Sequence, residues 1–312
     1  MAWIGLDIGG TKVYGAVVEN EKIKAEAKRS TPSEGGPEAI IDALVGVVAD
    51  LGGAKKVKGI GIGAPGLIDR KKGVLRHAPN LLAWVDETPL GPPLSALLGD
   101  VPVALGNDVE VGVLGEHRLG AARGLKNVIG MWLGTGVGGG FVADGDIHRG
   151  SHGLAGEIGH TIVHHNGREC GCGGRGHLEA YAGRRSLERR AREEAAQGRQ
   201  TLLVELAGEE RMKSSIFAKA LEAGDPLTVE MIDEAIEAVA ITVASMNTFL
   251  DLDMVVLGGG MGGRLGDFLA PRIAEQARPL MFVAGAEVRI APSELGDAAG
   301  AAGAALMAAA AL

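Results

Sequence analysis

Short apolar runs broken by glycine turns, then apolar positions at helical spacing, occur twice in this chain in the same order. Residues 3–8 form an apolar stretch of strand length, and residues 12–18 and 23–29 alternate, which predicts a meander of three strands joined by tight turns. Ile40, Ile41, Leu44, Val47 and Val48 then recur at helical spacing. With Pro37 suited to a first turn, they predict a helix over 37–51. Residues 58–62 and 101–105 read as parallel strands, and 109–119 as a helix that opens just after Asn107-Asp108. The second half repeats the order, with strands at 127–133 and 140–144, a long helix over 226–250 and a strand at 254–257. Asp225-Pro226 is a strong start signal for that helix, an N-cap oxygen followed by proline at N1. Gly296-Asp297 opens an Ala/Gly helix that runs to Leu312, and its small residues predict close approach to a neighbouring element.

The turns carry the first chemical signal. Gly9-Gly10-Thr11-Lys12 follows the first strand, and Gly134-Thr135-Gly136 follows its counterpart in constant register from Ile4 and Ile129. Glycine supplies left-handed turns and lets backbone N–H groups converge on an anion. Two such hairpins facing one another would grip a polyphosphate, which points to a duplicated nucleotide-binding fold. Two tempting motifs are excluded. Gly61-Ile62-Gly63-Ala64-Pro65-Gly66 spells a dinucleotide fingerprint, but the charged stretch after it is a poor helix, and the fingerprint needs a helix N-terminus. Thr11-Lys12 reverses the order of a Walker loop and runs into a strand.

Composition narrows the classes. Net charge is −8, and the basic residues cluster only in an Arg/Glu stretch around 184–192, so nucleic-acid binding is not expected. No run of eighteen apolar residues marks a membrane span, and the first residues lack a secretory pattern, so a cytoplasmic enzyme is expected. With 46% apolar residues, the 51 glycines describe a tightly turned α/β protein rather than a disordered one.

Residues 145–198 interrupt the repeat with an insertion rich in His, Cys, Gly and Arg. Cys170 and Cys172 stand one residue apart, too close for an unstrained mutual disulfide. With His160 upstream and His177 downstream they offer four ligands, enough to close a tetrahedral zinc site. Closed coordination implies a structural ion that pins a loop with little core of its own. His164 and His165 compete with His177 for the fourth position.

Taken together, 7–12, 133–136 and 257–260 resemble the phosphate and adenosine loops of the actin-like (ribonuclease H-like) ATPase superfamily. Gly153 to His160, followed by Cys170-Gly171-Cys172 and His177-Leu178-Glu179, is similar to the ROK family within it. That family includes bacterial glucokinases, N-acetylhexosamine kinases and sugar-responsive repressors. The resemblance implies an α/β fold of two lobes, each a duplicated βββαβαβα unit, with a cleft between them. The first lobe would comprise 1–108 plus the C-terminal helix 298–312, and the second 109–297. ATP would be held by Asp7, Gly9, Gly10, Thr11, Lys12, Gly134, Thr135, Gly136, Gly258, Gly259 and Gly260, with Asp7 acting on Mg²⁺ through water. Asp108 matches the catalytic base. The resemblance further implies that Asn107, Glu157, His160 and Glu179, with Asn80 at the rim, bind sugar hydroxyls. His160 would serve both sugar and zinc. The family carries cysteine at the position of His177, and small residues with an asparagine after Asn-Asp, where this chain has Val109-Glu110.

The expected activity is an ATP-dependent hexose kinase, foremost a glucokinase, in a cytoplasmic homodimer. Kinases for N-acetylmannosamine, N-acetylglucosamine or fructose are alternatives within the family, and polyphosphate is an alternative donor. A sugar-responsive regulator would need a helix-turn-helix ahead of the strand at Trp3, and an actin-like ATPase module would not need the Cys/His insertion.

Overall fold

The computed structural model describes residues 1–32, 34–77, 87–283 and 287–312. The chain divides into two compact units, one of Met1–Gly124 with Glu294–Leu312 and the other of Leu125–Ser293. In the first unit, β1 (Ala2–Ile8), β2 (Lys12–Glu19) and β3 (Lys22–Ser30) form the expected meander. Helix α1 (Gly36–Asp50) follows, then β4 (Val57–Ala64), the short strands β5 (Leu67–Asp69), β6 (Val74–His77) and β7 (Thr88–Pro89), and helix α2 (Gly91–Leu97). Strand β8 (Val103–Asn107) leads directly into helix α3 (Asp108–Leu119). The main sheet has the order β3-β2-β1-β4-β8, antiparallel through β1 and parallel beyond it.

The second unit restates that sheet. Strands β9 (Val128–Leu133), β10 (Val137–Ala143) and β11 (Asp146–His148) are antiparallel, and β12 (Met254–Gly258) and β13 (Arg289–Pro292) extend the sheet in parallel, in the order β11-β10-β9-β12-β13. Between β11 and β12 lie helices α4 (Glu179–Ala182), α5 (Arg184–Ala196), α6 (Leu202–Ala207), α7 (Ser214–Glu222) and α8 (Pro226–Leu250). Helix α9 (Gly259–Ala277) follows β12, and α10 (Ala299–Ala311) closes the chain in the first unit. Asp225 caps α8 as its sequence position predicts. It accepts from Thr228 N at 2.9 Å and Thr228 Oγ1 at 2.6 Å, and from Leu202 N at 3.0 Å and Thr201 Oγ1 at 2.9 Å, so the cap also fastens α6.

The two faces of the first sheet explain its glycines. Ile60 and Ile62 point to one core with Ile4, Leu6, Ile8 and the buried face of α1. Gly5, Gly61 and Gly63 point the other way, where a Cβ would run into the Ala301 carbonyl, the Ala304 carbonyl and the Val111 side chain. Glycine is therefore present so that α10 and α3 can approach the backbone, and the apparent dinucleotide fingerprint is a packing surface. Helix α3 belongs with this unit because Gly115 and Gly303 let it lie directly against α10. The division expected at residue 108 thus lies at the start of α3 rather than at a unit boundary.

Two expectations change in detail. Strand β10 begins at Val137, ahead of the expected Gly140, because its glycines face the inserted segment. A Cβ on Gly139 would meet Gly156 O and Ile158 Cγ2, both at 2.6 Å. The constant register also breaks at the turns. Ile8 pairs with Val13, whereas Leu133 pairs with Val137, so the second turn is one residue shorter and Val137 is the counterpart of Val13 rather than of Lys12.

Candidate active site

The first glycine turn is closed by Gly9 N donating to Lys12 O at 2.9 Å, and Thr31 holds it from outside through Oγ1 to Gly9 O at 2.6 Å. The Gly9 N–H is thus engaged inside the turn, while Gly10 and Thr11 are exposed. Lys12 pairs with Asp297 and lies over the Tyr14 ring at 5.7 Å, so its ammonium must leave Asp297 to meet a phosphate. Asp7 is partly buried at the end of β1. Burial first, and then the neighbouring Asp108 carboxylate, push its carboxyl from the ordinary 3.8 up to about 8, with Lys12 pulling it down and Asp297 adding to the rise. A carboxyl so disfavoured in its charged form is poised for a cation.

Asp108 stands in the first turn of α3, directly after β8. The N-cap is not Asp108 but Asn107, whose Oδ1 accepts from Val109 N at 3.0 Å and Glu110 N at 3.1 Å. Asn107 Nδ2 donates to Gly66 O at 3.3 Å, which leaves one amide hydrogen for a ligand. Asp108 accepts from Val109 N at 2.9 Å. A Cβ on Gly63 would touch both Asp7 Oδ1, at 3.4 Å, and the Asp108 Cα, at 3.5 Å, so the two acids flank one glycine. Glu110, the departure from the family pattern, forms a half-buried ion pair with Arg70. Asn80 lies outside the described residues.

In the second unit, Gly134 N donates to Gly136 O at 2.9 Å, closing the second turn as Gly9 closes the first. Glu179 Oε2 accepts from Val137 N at 2.8 Å, so this side chain buttresses the turn rather than standing in solvent. Its Oε1 lies 3.8 Å from Cys170 Sγ, which joins the turn to the inserted loop. There His160, Cys170, Cys172 and His177 bring one ligand atom each to within 4.8 Å of one another. A tetrahedral zinc with these donors needs edges of roughly 3.3–3.8 Å, so a small contraction closes the site. His160 turns Nδ1 toward Cys170 at 4.0 Å, and His177 turns Nδ1 toward Cys172 at 3.2 Å. His164 and His165 instead engage each other and Asn166. Burial, above all, pushes the Cys170 thiol up to about 11, so its deprotonation requires a cation. Glu157 is exposed beside this cluster in sequence. Gly258 lies against Trp132, where a Cβ would meet the indole at 2.6 Å, and Gly259 adopts φ 77° as α9 begins.

Two residues at the second turn have no local sequence signal. Arg184 Nη2 and Arg211 Nη2 both donate to Thr135 Oγ1, at 3.1 and 2.7 Å, from positions distant in the chain. The repeat alone describes this turn as neutral, and the tertiary structure makes it cationic.

Known proteins share this architecture along the whole chain. A glucokinase of Thermotoga maritima is 35% identical over 275 residues, 88% of this chain and 86% of that one. A glucokinase of Streptomyces coelicolor is 33% identical, covering 97% and 96%. The crystal structure of a ROK family glucokinase from Streptomyces griseus, in complex with glucose and AMPPNP, superposes with a TM-score of 0.83 at 31% identity, covering 99% of this chain and 100% of that one. The two-lobed actin-like fold expected from the glycine loops is thereby established. With the ROK family model matching residues 3–311, on the same loops and the same Cys/His insertion that the geometry brings together, the chain belongs to the ROK family.

Proposed function

We propose that this chain is an ATP-dependent hexose kinase whose acceptor is D-glucose, yielding ADP and D-glucose 6-phosphate. The observation that carries the reading is the pair Asp7 and Asp108 flanking Gly63, one acid for a cation and one for a proton. Asp108 accepts the proton of the acceptor hydroxyl as its oxygen attacks the γ-phosphorus. Asp7, whose charge burial and Asp108 disfavour in the absence of a cation, fits a water-bridged Mg²⁺ that would restore the carboxylate and would neutralise charge on the phosphates. Lys12, released from Asp297, addresses phosphate from the first turn. Gly134 to Gly136 form the second phosphate turn. Gly258 to Gly260 serve the adenosine.

Sugar hydroxyls are read by Asn107, Glu157, His160 and Glu179. Asn107 has a single amide hydrogen left to donate, so it meets a sugar oxygen as donor. His160 presents Nδ1 to Cys170, which leaves Nε2 for the sugar. The His160, Cys170, Cys172 and His177 donors suit a structural Zn²⁺ that fixes these groups. The family resemblance carries a homodimer in the cytoplasm. Among the described residues no helix is long and apolar enough to cross a membrane.

A coupled ADP-release assay with MgATP across hexoses and N-acetylhexosamines tests the proposal. Glucose should be the preferred acceptor, and Asp108→Asn should lower kcat by about 10²–10⁴ with little change in glucose KM. An enzyme that phosphorylates no hexose, or an Asp108→Asn variant with full activity, would overturn it.

A further inference from the structure

The geometry points to Arg211 as a binding residue for the phosphates of the nucleotide, acting with Thr135 and held in place by Arg184. This rests on the reading of Gly134 to Gly136 as the second phosphate turn. A threonine hydroxyl has two acceptor sites and one hydrogen. Here both acceptor sites are filled by guanidinium N–H groups, from Arg184 at 3.1 Å and Arg211 at 2.7 Å. The remaining hydrogen of Thr135 can only be donated, and a phosphate oxygen is an acceptor to match.

The two arginines are not equivalent. Arg184 is 5% exposed, opens α5, and donates through its backbone to Gly134 O at 3.1 Å. Its Nη1 donates to Met212 O at 2.6 Å and lies 3.7 Å from Glu188, which offsets part of its charge. Arg184 therefore fastens the 211–212 segment to the turn and is a positioning residue. Arg211 is exposed and has no carboxylate partner among the described residues, so its charge faces outward at the turn. In the first unit the turn carries its own cation, Lys12. In the second, the shorter turn places glycine there, and Arg211 returns the charge from the segment between α6 and α7.

The test compares nucleotides with and without phosphate on the full chain. In the wild type, calorimetry should give tighter binding of MgADP than of adenosine. Arg211→Ala should weaken MgADP about ten- to a hundredfold and raise the KM for MgATP by a similar factor. Adenosine affinity, glucose KM and thermal stability should stay unchanged, and Arg211→Lys should recover part of the loss. Unchanged MgADP affinity in Arg211→Ala would overturn the inference. So would an equal loss for adenosine, since that marks a structural role. Should Arg211→Ala lose MgADP selectively while the wild type phosphorylates no hexose, the kinase reading fails and the phosphate site stands.

Discussion

Asp7 lies in β1 opposite Tyr14, where burial and the Asp108 carboxylate both oppose its charge and raise its carboxyl from 3.8 to about 8. Between those values the folded chain holds a proton that the unfolded chain has released. The unfolded state then binds fewer protons, so this residue makes stability fall as pH rises across that interval. Asp7→Asn removes that part of the fall. Urea unfolding of the ligand-free variant should give a flatter stability profile between pH 4 and 8, with higher stability than the wild type at the upper end, and with phosphoryl transfer lost. Parallel profiles for the two proteins would refute the assignment. The acid was legible in the sequence from its place before the glycine turn, but its protonation was not, because Asp108 and Asp297 reach it only through the fold. Thr135 is a comparable case. Its loop was legible, and the arginines that polarise it were not, since they come from positions 49 and 76 residues away.

At the scale of elements, identical substitutions in two helices should have opposite signs. Alanine favours helix over glycine by about 1 kcal/mol. In α9, Gly263 is exposed and a Cβ there meets nothing, so Gly263→Ala should stabilise by about 0.5–1 kcal/mol. In α10, a Cβ on Gly303 would run into the carbonyl of Val111 in α3. Backbone cannot rotate away as a side chain can, so overpacking of about 1–3 kcal/mol should outweigh the propensity gain, and Gly303→Ala should destabilise. Thermal unfolding of both variants checks this, and a stabilised Gly303→Ala would show that α10 does not pack as described. The Ala/Gly composition of α10 was readable as a sign of close approach. Its partner was not, because sequence gives the small face of a helix without the element that meets it. Helices α6 and α7 escaped the sequence pattern for a related reason, since they are short and α6 is fastened by Asp225 in the cap of α8.

At the scale of the whole molecule, one sheet order is built twice and then made unequal by insertion. The segment between β11 and α4 has little regular structure beyond a short 3₁₀ turn at Ile158–His160, so zinc would replace the core it lacks. The protein should carry about one zinc per chain by elemental analysis. Chelation should lower the thermal midpoint and raise glucose KM more than MgATP KM, because His160 and Glu179 lie on this loop or beside it. Chelation should also be easier at lower pH, as protons compete with the ion for the Cys170 thiolate, which burial disfavours. Full activity and an unchanged midpoint in zinc-free protein would refute a structural ion. The sequence by itself determined the repeat, the glycine turns, the Asp225 cap of α8 and the Cys/His candidates of the insertion, because each is a matter of local spacing or of residue chemistry. Only the tertiary structure decided that Asn107 rather than Asp108 caps α3, that Glu179 supports the second turn, and that Arg184 and Arg211 meet at Thr135. Those are choices among partners far apart in the chain, and the folded backbone alone brings such partners within hydrogen-bonding distance.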